Sequence, residues 1–122
     1  MDNSISNYFK AFEELRKINP QMGVQQAQTF IFVCGNEDNP EGVCIKDIAN
    51  SLGFSQASAS RNVAAFTDWT RHKREGPDLL VAIEDPQNRT LKKVSLTSKG
   101  REVKSHLEAV LNFGELPKEG KG

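Results

Sequence analysis

One segment, from Ile48 to Phe66, constrains the fold of this chain more than any other, and its sequence is IANSLGFSQASASRNVAAF. It contains two short helical patterns with Gly53 between them. A glycine just past the end of a helix readily adopts the left-handed conformation of a C-cap. Ser55 then supplies a good N-cap for the second helix. Two helices joined by a turn of about three to four residues that contains glycine form a helix-turn-helix, which is predicted here.

The second helix of this motif carries small polar residues where a core helix would carry large apolar ones. Its inward stripe is Ala59, Val63 and Phe66. Serine favours caps and turns, so helix propensity does not explain the other positions. In a DNA major groove, hydroxyls reach phosphates, Gln and Asn pair with adenine, and Arg pairs with guanine. The alternative is a solvated helix face that is rich in serine. The predicted DNA-binding residues of this helix are Ser55, Gln56, Ala57, Ser58, Ser60, Arg61 and Asn62.

The charges of the chain are segregated along the sequence. The formal net charge is +0, from 16 Lys and Arg against 16 Asp and Glu. Residues 1–60 hold four basic against seven acidic residues, whereas residues 61–104 hold ten basic against six acidic ones. The positive part therefore begins inside the serine-rich helix. A basic patch of this kind is the electrostatic footprint that a phosphate backbone requires.

A β-hairpin is predicted after the helix-turn-helix. The basic connector TDWTRHKREGPD leads into the apolar run LLVAIED, the turn PQNR and the alternating run TLKKVSL. A hairpin in this place is a wing, which lies along the DNA backbone or reaches the minor groove. We expect the wing to contact DNA through Asn88, Arg89 and Lys92. Candidate backbone contacts in the connector are Arg71, Lys73 and Arg74.

The remaining pattern predicts helices over Asn3–Ile18, Val24–Cys34 and Ile45–Leu52, and a last helix that opens at the N-cap Thr97. The fold class is therefore mainly α with a small β-hairpin, a winged helix-turn-helix of about five helices and a two- to three-stranded wing. With 122 residues, the chain is expected to form a single domain over residues 1–113, followed by a flexible tail over residues 114–122. The second helix is apolar on nearly every side, which predicts a central, buried element.

Several classes of function lack support in the sequence. Mean hydropathy is −0.54, and no apolar run approaches the ~20 residues of a membrane span. The N-terminus has no secretion signal, so the cytoplasm is the expected compartment and no membrane partner is expected. Cys34 and Cys44 are interpreted as reduced structural thiols, with a disulfide or redox pair as the alternative. His72 and His106 are isolated, so no metal site, cofactor or enzymatic activity is predicted.

Two stretches of the sequence resemble the MarR-type winged-helix regulators, over about residues 24–104. VCIKDIANSLGFSQASASRNVAAF is similar to the two reading helices of that family, and EDPQNRTLKKVSLTSKGREV is similar to its wing and the start of the next helix. The resemblance implies a homodimeric transcriptional regulator, a repressor in our expectation, on a pseudo-palindromic double-stranded DNA site. It also implies that Asp85 stabilises the wing by holding Arg89, which enters the minor groove.

The resemblance further implies dimerisation through the terminal helices. The alternative is that the apolar stripes of these helices form a plain intramolecular core. Thr90 stands where a second wing arginine is common, which should weaken the minor-groove contact. The connector is longer than is usual for the family, so we expect either a different angle of the wing or an extra basic contact. One C-terminal helix replaces the two that are common in the family, so a smaller dimer is expected. No clustered polar residues indicate a small-molecule effector. The alternative function is a winged-helix protein-interaction module within a replication or transcription complex.

Overall fold

A computed structural model describes residues 3–40, 42–68 and 75–116, without the side chains of residues 88–91. The described residues form five helices and a three-stranded antiparallel sheet of order β1-β3-β2. The predicted winged helix-turn-helix is confirmed, and the wing has the larger of the two predicted strand numbers. The elements in chain order are α1 (Asn3–Ile18), α2 (Val24–Gly35), β1 (Val43–Cys44), α3 (Ile45–Leu52), α4 (Gln56–Ala64), β2 (Leu80–Asp85), β3 (Asn88–Leu96) and α5 (Ser98–Phe113).

The chain divides into two compact units. The wing unit is Gly23–Arg101, which contains α2, α3, α4 and the sheet. The terminal unit is Met1–Met22 with Glu102–Gly122, which contains α1 and most of α5. None of the helices in the described part of the chain is long and apolar enough to cross a membrane.

The core of the wing unit is built on α2. Phe30 is fully buried, and its ring stacks on that of Phe66 with centroids 5.4 Å apart. The same face of α2 buries Ala27 and Val33. The predicted central position of α2 is therefore correct, but not all of its apolar residues are buried. Val24 and Ile31, on its other side, are 76% and 49% exposed, because only one face of α2 packs against its unit.

Helix α3 begins with a capping box in which cysteine takes the place of the usual serine. The sulfur of the N-cap Cys44 accepts the backbone N–H of Asp47, and the Asp47 carboxylate accepts the backbone N–H of Cys44 at 3.2 Å. Two orphan donors of the first turn are thereby satisfied. Cys34 and Cys44 form no disulfide, in agreement with the predicted thiols. The helix ends at Gly53, whose φ of 73° is the expected left-handed cap.

The position of the third strand, β1, was not predicted, and β1 pairs with a strand about fifty residues further along the chain. Val43 lies opposite Val94, which in turn lies opposite Ala82 of β2. The inward face of the sheet buries Val43, Leu80, Val94 and Leu96. Its outer face leaves Val81 and Ile83 37% and 60% exposed. The alternation of burial follows the pleat of the strands.

The two ends of the basic connector are held together by backbone hydrogen bonds. The N–H of Gly76 donates to the carbonyl of Asp68 at 2.8 Å. The N–H groups of Leu79 and Leu80 both donate to the carbonyl of Phe66, at 2.7 and 3.0 Å. The strand β2 therefore starts beside the end of α4, and residues 69–74 between them lie outside the described residues.

The predicted N-cap Thr97 opens α5 and ties it to the start of the wing. Its hydroxyl oxygen accepts the N–H of Gly100 at 2.9 Å and donates to the carbonyl of Asp78 at 2.7 Å. Gly100 is buried against the carbonyl group of Leu79. Any side chain at position 100 would overlap that carbonyl oxygen.

In the terminal unit, α1 side chains cap the C-terminus of α5. The Asn7 amide donates to the carbonyl of Leu111 at 3.1 Å, and the Lys10 ammonium donates to the carbonyl of Gly114 at 2.8 Å. Gly114 has a φ of 77° and closes α5 with a bond from its N–H to the carbonyl of Val110. Gly114 thus has a structural role at the start of the predicted tail, of which residues 117–122 lie outside the described residues.

Gly100→Ala should lower the free energy of unfolding by more than about 2 kcal/mol, because backbone must move to admit the new methyl group. The gain in helix propensity, about 1 kcal/mol for Gly to Ala, works against this loss. Gly35→Ala is the matched control, since Gly35 also lies in a helix and no atom comes within 4 Å of the added methyl group. Urea unfolding of both variants measures the difference, and equal stabilities would contradict the close packing at Gly100.

Candidate nucleic-acid interface

Helices α3 and α4 form the predicted helix-turn-helix. The N–H of Phe54 donates to the carbonyl of Ala49 at 2.9 Å and completes the turn after Gly53. Ser55 then caps α4, since its hydroxyl oxygen accepts the N–H of Ser58 at 3.0 Å. The buried side of α4 is the predicted stripe, with Ala59 at 0%, Val63 at 2% and, beyond the helix end, Phe66 at 2% exposure. The small Ala59 side chain lets α4 approach its neighbours closely.

The opposite side of α4 presents the residues that sequence patterning predicted for DNA recognition. Two of the predicted residues, Ser58 and Asn62, are only half-exposed because they flank the buried stripe. The exposed members are Ser55, Gln56, Ala57, Ser60 and Arg61. The helix thus has one buried stripe, two half-exposed residues at its border and an exposed opposite face.

Three of these polar side chains are connected by hydrogen bonds. The Ser55 hydroxyl donates to the hydroxyl oxygen of Ser58 at 3.0 Å. The same Ser58 oxygen accepts a hydrogen bond from Nη2 of Arg61, also at 3.0 Å. We call this chain of contacts the Ser55–Ser58–Arg61 ladder. Sequence patterning placed each residue on this face, but the contacts depend on side-chain conformation.

Asn62 differs from its neighbours because the nitrogen of its amide is buried. Among the described residues, this nitrogen has no hydrogen-bond partner. A buried, unsatisfied donor costs about 1–3 kcal/mol. The structure therefore does not present the Asn62 amide nitrogen on the outer surface of α4, where base recognition would need it.

The wing is a hairpin of β2 and β3 with an irregularity at its tip. The register shifts between Glu84 and Asp85, and Glu84 lies opposite Lys92, which is exposed. The Asp85 carboxylate accepts the N–H of Gln87 at 2.8 Å, which stabilises the turn locally. The sequence analysis did not predict this hydrogen bond. An aspartate at the start of a turn commonly indicates such a bond.

Other predicted contacts fall on residues whose side chains are not described. Asn88 and Arg89 lie at the start of β3, and the predicted contact between Asp85 and Arg89 stays a prediction. Arg71, Lys73 and Arg74 lie outside the described residues. The described residues contain no group of three or more His, Cys, Asp or Glu side chains suited to a metal ion.

The wing unit also has a small cleft between the end of α2, the sheet and the first turn of α5. Its volume is about 50 Å³, and Arg101 at its rim donates through Nε to the Glu37 carboxylate at 3.0 Å. Pockets for drug-sized ligands have volumes of about 300–1,000 Å³. The cleft is therefore too small for such a ligand.

The sequence matches no protein-family model, and a search of curated proteins found no match either. The fold does match solved structures. The MepR–DNA complex of S. aureus superposes with a TM-score of 0.63 at 19% identity, over 87% of this chain and 77% of that chain. RV1404 from Mycobacterium tuberculosis has a TM-score of 0.59 at 17% identity, over 83% of this chain and 60% of that chain. A MarR-family transcriptional regulator from Rhodococcus sp. RHA1 has a TM-score of 0.55 at 18% identity, over 84% and 66%.

These likenesses show the fold that this chain shares with MarR-family regulators. The fold implied by the sequence resemblance is therefore confirmed. The chain spans 60% to 77% of the lengths of these three structures.

The burial of the Asn62 amide leads to a prediction about stability. Asn62→Ala should raise the free energy of unfolding, because it removes an unsatisfied donor that costs about 1–3 kcal/mol. Asn50→Ala is the matched control, since Asn50 is an exposed asparagine inside α3 and its replacement changes helix propensity alone. In urea unfolding, Asn62→Ala should exceed this control by about 1 kcal/mol. A loss of stability relative to the control would show that the amide has a partner.

Proposed function

We propose that this protein is a MarR-type transcriptional regulator that binds specific sequences of double-stranded DNA. The observation that carries the proposal is the separation of the faces of α4, whose buried stripe leaves an outer surface of short polar residues and Arg61. The second helix of a helix-turn-helix reads the major groove with such residues. The likeness to a fold that, in MepR, has been solved on DNA supports this use of α4.

The proposed roles divide between helix and wing. In α4, Gln56, Ser60 and Arg61 reach base edges or phosphates, with Ser55 and Ala57 at the end of the helix nearest the groove. The wing places Arg89 in the minor groove and Asn88 and Lys92 along the backbone. Arg71, Lys73 and Arg74 of the connector add phosphate contacts that carry no sequence information. Asp85 holds the wing tip. Ser58 and Asn62 lie at the border of the proposed surface, and Asn62 contributes to it without its buried amide nitrogen.

We further propose that the protein acts as a homodimer on a pseudo-palindromic site, with repression as the outcome of binding. One face of α1 supports the dimer, because its large apolar side chains are exposed. Their exposures are 59% for Ile5, 56% for Tyr8, 57% for Phe9 and 56% for Phe12. In the same terminal unit, Phe113 of α5 is 79% exposed. Contiguous apolar surface of this kind marks an interaction site.

The proposal includes a single domain over residues 1–113 and a flexible tail over residues 114–122. It places the protein in the cytoplasm, with no cofactor, no catalytic activity and no membrane partner. A small-molecule effector has no assigned site.

A second candidate function is a winged-helix protein-interaction module of a replication or transcription complex. The exposed Val81 and Ile83 on the outer face of the wing favour it, because apolar groups contribute nothing to phosphate binding. Steep salt dependence of binding to DNA separates the two functions, since only a surface that contacts phosphates releases counterions.

The DNA-binding proposal predicts different losses for two arginines. Arg61→Ala should weaken binding to the selected site by about 1–3 kcal/mol and change binding to random duplex much less. Arg89→Ala should weaken both and reduce the salt slope by about one unit. The specific site is first obtained by selection from a random DNA pool, and both variants are then titrated at several salt concentrations.

Lys17→Ala serves as the charge-matched control for these titrations. Lys17 is exposed on α1 and pairs with Glu14 on the same helix, so its removal leaves the proposed surface intact. Its affinity and salt slope should equal those of the parent protein. Equal loss on both duplexes for Arg61→Ala would make Arg61 a phosphate anchor. No effect of either arginine on any DNA would favour the protein-interaction module.

The dimer predicts a concentration-dependent mass in sedimentation. The parent protein should sediment as a dimer at tens of micromolar, because two recognition helices must be held about 34–36 Å apart. Phe9→Ser with Phe12→Ser should shift the equilibrium towards monomer. Ile31→Ser is the matched control, since Ile31 is an exposed apolar residue of α2 outside this face. If the parent protein is a monomer both in free solution and when bound to DNA, the proposed homodimer on a symmetric site is wrong. The proposal that the protein binds DNA is not affected by that result.

A further inference from the structure

The Ser55–Ser58–Arg61 ladder controls the direction of the one arginine in α4. Ser58 precedes Arg61 by three residues, so the bond from Nη2 of Arg61 to the Ser58 oxygen draws the guanidinium towards the N-terminal end of the helix. In a helix-turn-helix, the residues near this end of the second helix contact base edges. The ladder therefore directs Arg61 to the part of α4 that would lie deepest in the groove.

The N-terminal end of a helix has positive potential. The Arg61 guanidinium therefore needs a hydrogen-bond acceptor to hold it near that end of α4. Arg61 belongs to the last turn of α4, where the helix dipole favours a cation, whereas a cation drawn towards the first turn is disfavoured. Ser58 supplies the acceptor, and Ser55 fixes the position of the Ser58 hydroxyl by donating to it at 3.0 Å. Ser55 is itself held, because it caps the N–H of Ser58 at 3.0 Å.

The ladder leaves most N–H donors of Arg61 available for DNA, whereas it occupies the acceptor sites of the Ser58 hydroxyl. A guanidinium has five N–H donors, and Ser58 accepts from only one of its terminal nitrogens. A serine hydroxyl has two acceptor lone pairs, and those of Ser58 are occupied by Ser55 and Arg61. Ser58 is also only half-exposed, beside the buried stripe. Its two acceptor sites are thus occupied within the ladder, and only its O–H remains as a donor.

We propose that Ser58 is a positioning residue, which orients Arg61 for sequence-specific recognition before DNA is bound. An arginine that must first be immobilised loses binding free energy, because its side chain is ordered when DNA binds. The ladder removes part of that loss at the specific site, where Arg61 needs one geometry. On random DNA, where several geometries satisfy a phosphate, Ser58 has little effect. The inference rests on the proposed function, since it requires α4 to face DNA.

The test is a double-mutant cycle on the selected and random duplexes. Ser58→Ala should weaken specific binding about twofold to tenfold, since the ladder removes part of the loss from immobilising one side chain. Ser58→Thr, which keeps the hydroxyl, should restore most of the affinity. In the Arg61→Ala background, Ser58→Ala should have no further effect, because the two residues act as a unit. Random duplex should bind all of these variants of position 58 nearly equally.

Ser60→Ala is the matched control, because Ser60 is an exposed serine of the same helix outside the ladder. Its effect should be the same whether residue 61 is Arg or Ala. A second measurement needs no DNA: in NMR spectra, rotation about the Cζ–Nη bonds of Arg61 should be slower in the parent protein and Ser58→Thr than in Ser58→Ala.

Three results would overturn the inference. Specific binding by Ser58→Ala equal to that of the parent would show that the ladder does not matter. An unchanged loss in the Arg61→Ala background would make Ser58 an independent DNA contact. A parent protein that binds no duplex would remove the proposed function itself, whereas the first two results leave that function in place.

Discussion

Phe66 is the residue on which the arrangement of the wing unit depends. Its ring stacks on that of Phe30 with centroids 5.4 Å apart, which anchors the end of α4 to the core on α2. Its carbonyl accepts the N–H groups of both Leu79 and Leu80, which anchors the start of the wing. Burial of a phenylalanine side chain contributes about 1.5–3 kcal/mol. One residue therefore sets the position of the helix and of the hairpin relative to the same core.

This arrangement frees the two surfaces on which the proposed function rests. Because Ala59, Val63 and Phe66 do the packing, the outer face of α4 carries only groups suited to bases and phosphates. The hydrogen bond from the N–H of Gly76 to the carbonyl of Asp68 brings the two described ends of the connector together.

Ion pairs contribute little to the stability of the described residues. The pairs of Arg16 with Glu13 and of Lys17 with Glu14 involve basic side chains that are 62% and 65% exposed. Exposed pairs of this kind contribute about 0–1 kcal/mol. Stability rests instead on buried apolar groups and helix caps, including the cap that Cys44 forms for α3. Salt can therefore weaken a phosphate contact strongly while it leaves the fold nearly unchanged.

The sequence by itself determined the features that depend on a few neighbouring residues. The turn at Gly53, the caps at Ser55 and Thr97 and the inward stripe of α4 follow from local periodicity and capping, and the structure has them where patterning placed them. Only the tertiary structure decided the pairing of Val43 with Val94, because strand pairing across about fifty residues depends on what else fills the core.

The tertiary structure also decided which polar groups of α4 are available to a partner. Ser58 and Asn62 have the same helical periodicity as their exposed neighbours, but one is bonded to Arg61 and the other has its amide nitrogen buried. These differences depend on side-chain conformation and packing, so they cannot be predicted from the spacing of residues along a helix.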